Sequence, residues 1–144
     1  MTKNKKNNKW FNRHISDKYV LQSKRMNYSS RAAFKLIAID DKFKILDGIE
    51  SVVDLGCAPG GWLQVARIFC PKDSNILGID RIKIEKIEKV NFIEKDIFDE
   101  DILQIIKTNF NCKVDIVMSD MSPNSSGNKS VDHLRIISLV ERVL

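Results

Sequence analysis

Apolar and polar positions change in blocks along residues 51–119, and these blocks predict strands and helices in turn. Short apolar runs typical of buried strands cover residues 51–55, 75–80, 91–95 and 114–119. Amphipathic helical spacing covers residues 61–70, 99–109 and 131–144, whereas residues 82–89 are predicted as a loop that could include a helix. Strands that alternate with helices favour an α/β domain, in which helices flank a mostly parallel sheet wound by right-handed crossovers.

The segment before the first strand is predicted to be helical. Residues 16–25 fit a short basic helix, and a turn follows at residues 26–28. A second helix is predicted to begin with Ser29 or Ser30 as its N-cap, because hydroxyl side chains favour that position. Its apolar residues Ala33, Leu36 and Ile37 form a stripe that would face the sheet.

Positive charge is concentrated at the N-terminus. The formal net charge is +5 for the 144 residues, but residues 1–35 carry +9 and residues 36–144 carry −4. A basic segment beside a nearly neutral body indicates a polyanionic partner such as RNA or DNA, bound through its phosphates. We interpret residues 1–15 as a disordered basic tail, because they lack apolar periodicity. Residues 16–144 form the predicted domain, with basic helices at 16–45 and a cofactor-binding half at 51–144.

Cysteine and histidine positions argue against a metal site or a disulfide framework. Cys57, Cys70 and Cys112 are widely spaced, and His14 and His133 lie apart from other ligand residues. No apolar run approaches the ~20 residues that a membrane span needs. We therefore expect a reduced, intracellular protein without metal or membrane partner, located in the cytoplasm or, in a eukaryote, in an organelle such as the mitochondrion.

The segment Val53–Trp62 joins a predicted strand to a glycine-rich turn and a helix. Its small residues would let the backbone approach a ligand, and the free N–H groups of the helix start suit a carboxylate or a phosphate. The spacing fails the G-x-G-x-x-G pattern at its second glycine, which favours S-adenosylmethionine over NAD. An ordinary strand-to-helix turn is the alternative. The candidate cofactor residues here are Gly56, Pro59, Gly60, Gly61 and Trp62.

Carboxylates close successive strands of the predicted sheet. Asp80 follows the glycines by about 20 residues, a position where an acid commonly binds ribose hydroxyls. Asp96 closes the next apolar run, and Asp120 closes the strand predicted at 114–119. Each aspartate could instead be a helix cap or a turn residue. Because the carboxyl ends of parallel strands share one edge, we expect all three to lie at the same side of the sheet.

Four sequence blocks together resemble the FtsJ-like ribose 2′-O-methyltransferases, S-adenosylmethionine-dependent enzymes that act on RNA. These blocks are Ser16–Val20, Ser30–Leu36, Asp54–Trp62 and Ser119–Asn124, in family order. The first block looks more like enzymes that methylate a uridine ribose in large-subunit ribosomal RNA than like those acting on tRNA. The resemblance implies a Rossmann-like fold and, as partner, ribosomal RNA or the assembled large subunit. We expect the protein to act as a monomer.

The resemblance also implies roles for individual residues. The cofactor would contact Gly60, Gly61, Trp62, Asp80, Asp96 and Asp120. The concentration of positive charge over residues 18–35, rather than the resemblance, predicts that RNA contacts Lys18, Lys24, Arg25, Arg31 and Lys35. Of the family's catalytic lysine, aspartate, lysine and glutamate, Lys35 and Asp120 match here. The other two lie beyond Asn124 in the family, and no match for them precedes Leu144. We therefore expect the sequence to be part of a longer enzyme whose sheet continues with three more strands.

Three other functions remain open at this point. The absence of two catalytic residues would be consistent with a catalytically silent module that binds the cofactor and RNA. A tRNA ribose 2′-O-methyltransferase would share the same motifs. The hypothesis of a nicotinamide-dependent oxidoreductase is supported only by the number of residues between the glycine loop and Asp80.

Overall fold

The computed structural model describes residues 18–110, 114–122, 127–128 and 130, and only the backbone of residues 18–20. The predictions for residues 1–17, for Cys112, for Pro123 and Asn124, and for the helix at 131–144 lie outside these residues. None of the described helices is long and apolar enough to span a bilayer. Within the same residues, no group of three or more His, Cys, Asp or Glu side chains is arranged to hold a metal ion.

Helices and strands alternate after an N-terminal helical pair. The order in the described residues is α1 (Lys18–Arg25), α2 (Ala32–Phe43), β1 (Ser51–Leu55), α3 (Gly61–Phe69), β2 (Asn75–Asp80), β3 (Asn91–Glu94), α4 (Ile102–Asn109) and β4 (Ile116–Met118). The predicted Rossmann-like α/β architecture with a parallel sheet is confirmed.

The four strands form one parallel sheet in the order β3-β2-β1-β4. β1 pairs with β2 along its whole length, from Ser51 opposite Asn75 to Leu55 opposite Ile79, and with β4 through Val52, Val53 and Asp54. Strands β2 and β3 therefore extend to one side of β1, and β4 lies on the other side. In sheets wound in this way, ligands bind in the crevice where the strand order reverses, at the carboxyl ends of the strands. Here that crevice lies beyond β1 and β4.

Each face of the sheet is covered by helices, which explains why β1 is buried at all five positions. Val52 and Ile76 face α2 and α3, where they pack with the buried residues Leu36, Leu63 and Met118. Val53, Leu55, Leu77 and Ile79 face the other way and pack with Ile97, Ile102 and Phe110. Burial of each large aliphatic side chain contributes about 1.5–3 kcal/mol relative to exposure. These two cores hold the carboxyl edge of the sheet in place.

Several predicted boundaries are wrong for identifiable reasons. Neither Ser29 nor Ser30 caps α2, whose N-cap position is Arg31. The backbone N–H and the hydroxyl of Ser29 instead donate to Oε1 of Gln64, at 2.8 and 3.0 Å. Residues 82–89 form the predicted loop without a helix in it, whereas α4 begins at Ile102 rather than residue 99. Strands β3 and β4 are shorter than predicted, at four and three residues.

Candidate functional site at the carboxyl edge of the sheet

The loop between β1 and α3 turns sharply at two glycines. Gly56 has φ of +71° and Gly60 has φ of +106°, values that favour glycine. The N–H of Gly56 donates to the carbonyl of Ile79 at 2.8 Å, and the N–H of Gly60 donates to the carbonyl of Cys57 at 2.7 Å. A Cβ atom on Gly56 would lie 1.9 Å from Cγ of Met121, so a side chain has no room there. The loop is therefore fixed against β2 and against the segment after β4.

Gly61 lets α2 and α3 approach each other closely beside this loop. A Cβ atom on Gly61 would lie 2.7 Å from the hydroxyl oxygen of Ser30. One residue later, the indole N–H of Trp62 donates to the carbonyl of Ala32 at 2.8 Å. The start of α3 and the start of α2 thus form one wall of the site.

Lys35 and Asp120 form an ion pair across the opening of the crevice. Asp120 follows β4, where the hydroxyl of Ser119 donates to the carbonyl of Leu55 at 2.9 Å and ties this segment to β1. The Lys35 ammonium also lies 5.9 Å from the ring centroid of Trp62. The side chains of Lys35 and Asp120 are 59% and 32% exposed, so the pair adds at most about 1 kcal/mol to stability. Its position at the opening suits contact with a ligand.

A pocket of about 60 Å³ lies beneath this pair. It is lined by Ser30, Ala32, Asp54, Gly56, Cys57, Ala58, Pro59, Gly61, Trp62 and Asp120. Asp54 is 1% exposed, and neither its Oδ2 atom nor the Ser30 hydroxyl has a hydrogen-bond partner among the described residues. Burial, and then the negative charges of Asp120 and Asp80, raise the pKa of Asp54 well above its usual range. The pocket therefore presents acceptor groups that the described part of the chain leaves unsatisfied.

Asp80 and Asp96 both make backbone hydrogen bonds at strand ends. Oδ2 of Asp80 accepts from the N–H of Ala58 at 2.9 Å, and its Oδ1 accepts from the N–H of Ile82 at 2.8 Å. Asp80 thereby supports the glycine-rich loop, while each oxygen retains a further lone pair for a hydroxyl donor. Asp96 accepts from the N–H of Phe98 at 3.0 Å and lies beyond β3, away from the pocket under the ion pair.

A second, more open pocket of about 450 Å³ lies on the other side of the Ala58–Pro59 segment. It is lined by Ser29, Ala58, Pro59, Ile82, Lys83, Ile84 and Glu85. Because residues 82–85 begin two positions after Asp80, the last residue of β2, this pocket extends the crevice toward the β2 side. The two pockets share Ala58 and Pro59 in their linings, so the crevice continues from one to the other.

The predicted RNA-binding residues lie around α1 and the start of α2. Lys24, Arg25, Arg31 and Lys35 are all exposed. Lys18 is the first residue of α1, and the prediction for its side chain falls outside what the structure describes. Among the four members of this set whose side chains are described, Lys35 forms the ion pair over the pocket.

The structure thus brings part of the predicted set together. Gly56, Pro59, Gly61, Trp62 and Asp120 line one pocket, and Gly60 caps the helix beside it. Sequence reasoning gave neither Asp54 nor Ser30 a role in the site, although each opens one of the blocks that resemble the family and Ser30 was a candidate N-cap. A charged residue inside the apolar run of β1 was a detectable signal for Asp54.

Comparison with known proteins shows which family this chain resembles. Residues 28–144 match the model of the FtsJ-like methyltransferase family. A protein named ribosomal RNA large subunit methyltransferase E from Bartonella bacilliformis is 45% identical over 136 residues, which cover 92% of this chain and 57% of that protein. The protein of the same name from Erythrobacter litoralis is 46% identical over 133 residues, covering 92% of this chain and 60% of that protein. The chain therefore spans about three fifths of the length of these relatives.

A solved structure is similar to this chain in both fold and sequence. The crystal structure of a ribosomal RNA methyltransferase from Plasmodium falciparum superposes with a TM-score of 0.73 at 34% identity, over 81% of this chain and 68% of that chain.

Proposed function

We propose that this chain, which belongs to the FtsJ-like methyltransferase family, methylates a ribose 2′-hydroxyl of large-subunit ribosomal RNA with S-adenosylmethionine as methyl donor. The names of the relatives support ribosomal RNA as the substrate class. The sequence resemblance supports ribose as the acceptor and uridine as the nucleoside. A ribosomal RNA substrate places the proposed activity inside the cell.

One observation carries the cofactor part of this proposal. The carboxylates of Asp54 and Asp120 line one pocket with a glycine-rich turn and an indole ring, and Asp54 is buried without a hydrogen-bond partner among the described residues. These acceptor groups fit S-adenosylmethionine, which carries a positive ammonium and a positive sulfonium. Bound there, the cofactor supplies a methyl group activated by the sulfonium charge. The backbone around Gly60 and Gly61 would hold its amino-acid end, and Asp80 would accept from its ribose hydroxyls.

The residues at the opening would act on the RNA. Lys35 is placed to orient the target nucleotide, because its ammonium lies at the crevice mouth beside Trp62. Asp120 would help place the acceptor hydroxyl against the methyl group, and in-line attack needs a separation of about 3 Å. The exposed Lys24, Arg25 and Arg31 would bind RNA phosphates, which predicts an affinity that falls steeply with salt.

The test is transfer of a tritiated methyl group from S-adenosylmethionine to unmodified large ribosomal subunits, extracted ribosomal RNA and tRNA, by this chain and by its reading frame extended past Leu144. We expect label on ribosomal RNA, recovered in dinucleotides that resist alkaline hydrolysis because their 2′-oxygen is methylated. Lys35→Ala and Asp120→Asn should lower transfer by a factor of ten or more, on the order of removing one transition-state contact. Lys42→Ala and Asp41→Asn, exposed changes on the same helix α2, are the matched controls.

Other results would redirect the assignment. Label on a base would refute the proposal that ribose is the methyl acceptor. Label on tRNA alone would refute the proposal that ribosomal RNA is the substrate. Binding of both cofactor and RNA without transfer, by this chain and by its reading frame extended past Leu144, would favour the silent binding module.

A further inference from the structure

The side chain of Gln64 joins α3 to the turn between α1 and α2, residues 26–31. Its Oε1 atom accepts from the N–H and the hydroxyl of Ser29, at 2.8 and 3.0 Å, and its Nε2 atom donates to the carbonyl of Asn27 at 3.3 Å. A backbone N–H can only donate and a carbonyl can only accept, so these partners fix which way the amide points. One half-buried side chain on α3 thus makes three hydrogen bonds to the α1–α2 turn.

These bonds lie where α1 ends. The N–H of Tyr28 donates to the carbonyl of Ser23 at 2.9 Å. The N–H of Asn27 donates to the carbonyl of Lys24 at 3.4 Å, and Asn27 has a φ of +60°. This pattern is a Schellman motif, a common way for a helix to end in a left-handed residue. Because Gln64 binds the carbonyl of that left-handed residue, it fixes the angle at which α1 meets the rest of the protein.

The last two residues of α1 are cations beside this turn. Lys24 and Arg25 are both exposed. The turn also lies close to the glycine-rich loop, because a Cβ atom on Gly60 would lie 3.9 Å from the hydroxyl oxygen of Ser29. α3 begins at Gly61, which lines the pocket of about 60 Å³. The helix that borders this pocket therefore also sets the position of the two cations relative to the opening.

We infer that Gln64 is a positioning residue for RNA binding, which orients Lys24 and Arg25 toward phosphates of the same RNA whose target nucleotide lies at Lys35. This inference rests on the proposed function. Without the amide, α1 would hold that orientation for only a fraction of the time, and the apparent affinity for RNA falls by that fraction. The glycine-rich loop is held by other bonds, from Gly56 to Ile79 and within the loop, so cofactor affinity should change little.

The experiment measures binding of large-subunit ribosomal RNA to the 144-residue chain by filter retention at several salt concentrations. Gln64→Met keeps the length of the side chain and removes all three bonds, each worth a factor of about 2 to 10. We expect RNA affinity to fall about fivefold or more. Each phosphate contact contributes about 0.7–0.9 to the slope of log affinity against log salt, so this slope should become shallower by about 1 to 2. Gln64 is uncharged, so its replacement changes the slope only if cations elsewhere lose phosphate contacts.

Further variants test whether Gln64 acts through these cations. Lys24→Ala combined with Arg25→Ala should make the slope shallower by a similar amount, with little further change when Gln64→Met is added. Ser29→Ala removes one of the three bonds, so it should cause a smaller loss of RNA affinity, and none in the Gln64→Met chain. Gln104→Met makes the same replacement at an exposed position on α4 and should leave RNA binding unaltered. The calorimetric affinity for S-adenosylhomocysteine should stay within about twofold in every variant, which also shows that each variant folds.

The outcomes separate this inference from the proposed function. A Gln64→Met chain that binds S-adenosylhomocysteine normally and keeps the salt slope of the unaltered chain would overturn the positioning role and leave the methyltransferase assignment intact. If Gln64→Met does not fold, an unchanged slope in the Lys24→Ala, Arg25→Ala chain, or unchanged RNA affinity in Ser29→Ala, would overturn the positioning role instead. Failure of the unaltered chain to bind both ribosomal RNA and S-adenosylhomocysteine would overturn the proposed function, and the positioning role with it.

Discussion

Gly78 lies in the middle of β2, directly beneath side chains that hold the glycine-rich loop. A Cβ atom there would lie 2.5 Å from Cδ1 of Leu63 and 2.8 Å from Sγ of Cys57. Comfortable contacts are about 3.5–4.0 Å, so both neighbours would have to move by about 1 Å. Leu63 and Cys57 are 0% and 5% exposed, which leaves them little space in which to move. We therefore predict that Gly78→Ala strains the core and shifts the loop.

The expected magnitude follows from two opposing effects. Overpacking a buried site costs about 1–3 kcal/mol, whereas alanine in a strand interior is favoured over glycine by about 0.5–1 kcal/mol. Gly78→Ala should therefore destabilise the protein by roughly 1–2 kcal/mol, measured by urea unfolding with an unchanged m-value. Leu63→Ala alone should cost about 2–5 kcal/mol because it leaves a cavity.

Combining the two changes tests the mechanism. The new methyl group at position 78 would occupy part of the space that Leu63 vacates, so the double variant should be more stable than additivity predicts, by about 0.5–3 kcal/mol. Val65 is equally buried on α3 but supplies none of the three atoms nearest to that methyl group. Gly78→Ala with Val65→Ala should therefore be additive. Additive behaviour of the Leu63 pair as well would refute the steric argument.

Three further outcomes can be checked by thermal or chemical unfolding. Lys35→Ala should change the free energy of unfolding by no more than about 1 kcal/mol, because its ion pair is largely exposed; a loss above about 2 kcal/mol would contradict this. Hydrogen bonds from the N–H of Glu50, and then from Ser51, lower the pKa of Asp115. The ionised Asp115 therefore stabilises the folded protein above the usual aspartate pKa, and this stabilisation is lost as pH falls through the lowered pKa. Asp115→Asn should narrow the difference in the free energy of unfolding between neutral and acid solution. The pKa of Asp54 is raised instead, so the protonated Asp54 stabilises the folded protein fully below the usual aspartate pKa, and this stabilisation is lost as pH rises toward the raised pKa. Without ligand, Asp54→Asn should therefore become more stable relative to the unaltered chain over that rise in pH. A difference in the free energy of unfolding that stays constant with pH would argue against this reasoning.

Strands β1 and β2 were predictable because their burial follows from short, mostly apolar runs. β1 and β2 begin and end at the predicted residues. β4 is shorter than its apolar run suggests because polar side chains at both ends bond elsewhere. Asp115 accepts from the N–H groups of Glu50 and Ser51, and Ser119 donates to Leu55.

Contacts between distant parts of the chain explain what local patterns missed. The start of α2 was misplaced because Ser29 bonds to Gln64, 35 residues away, rather than to its own helix. Similarly, the sequence shows an acid within the β1 run, but which groups surround Asp54 depends on how β4 and α2 pack beside it. The pairing of Lys35 with Asp120 joins residues 85 positions apart, and no spacing rule could predict it.

The parallel strand order also has a consequence for how the protein folds. β1 meets β2 across a short stretch of chain that contains only α3, whereas the contacts that join β1 to the β4 region link residues 64 positions apart. Long-range pairing is slower to form, since more chain entropy is lost before contacts compensate for it. In pulsed hydrogen exchange, we therefore expect the amides of β1 and β2 to become protected first and those of β4 later. The glycine-rich loop would then be shaped before Asp120 arrives beside Lys35.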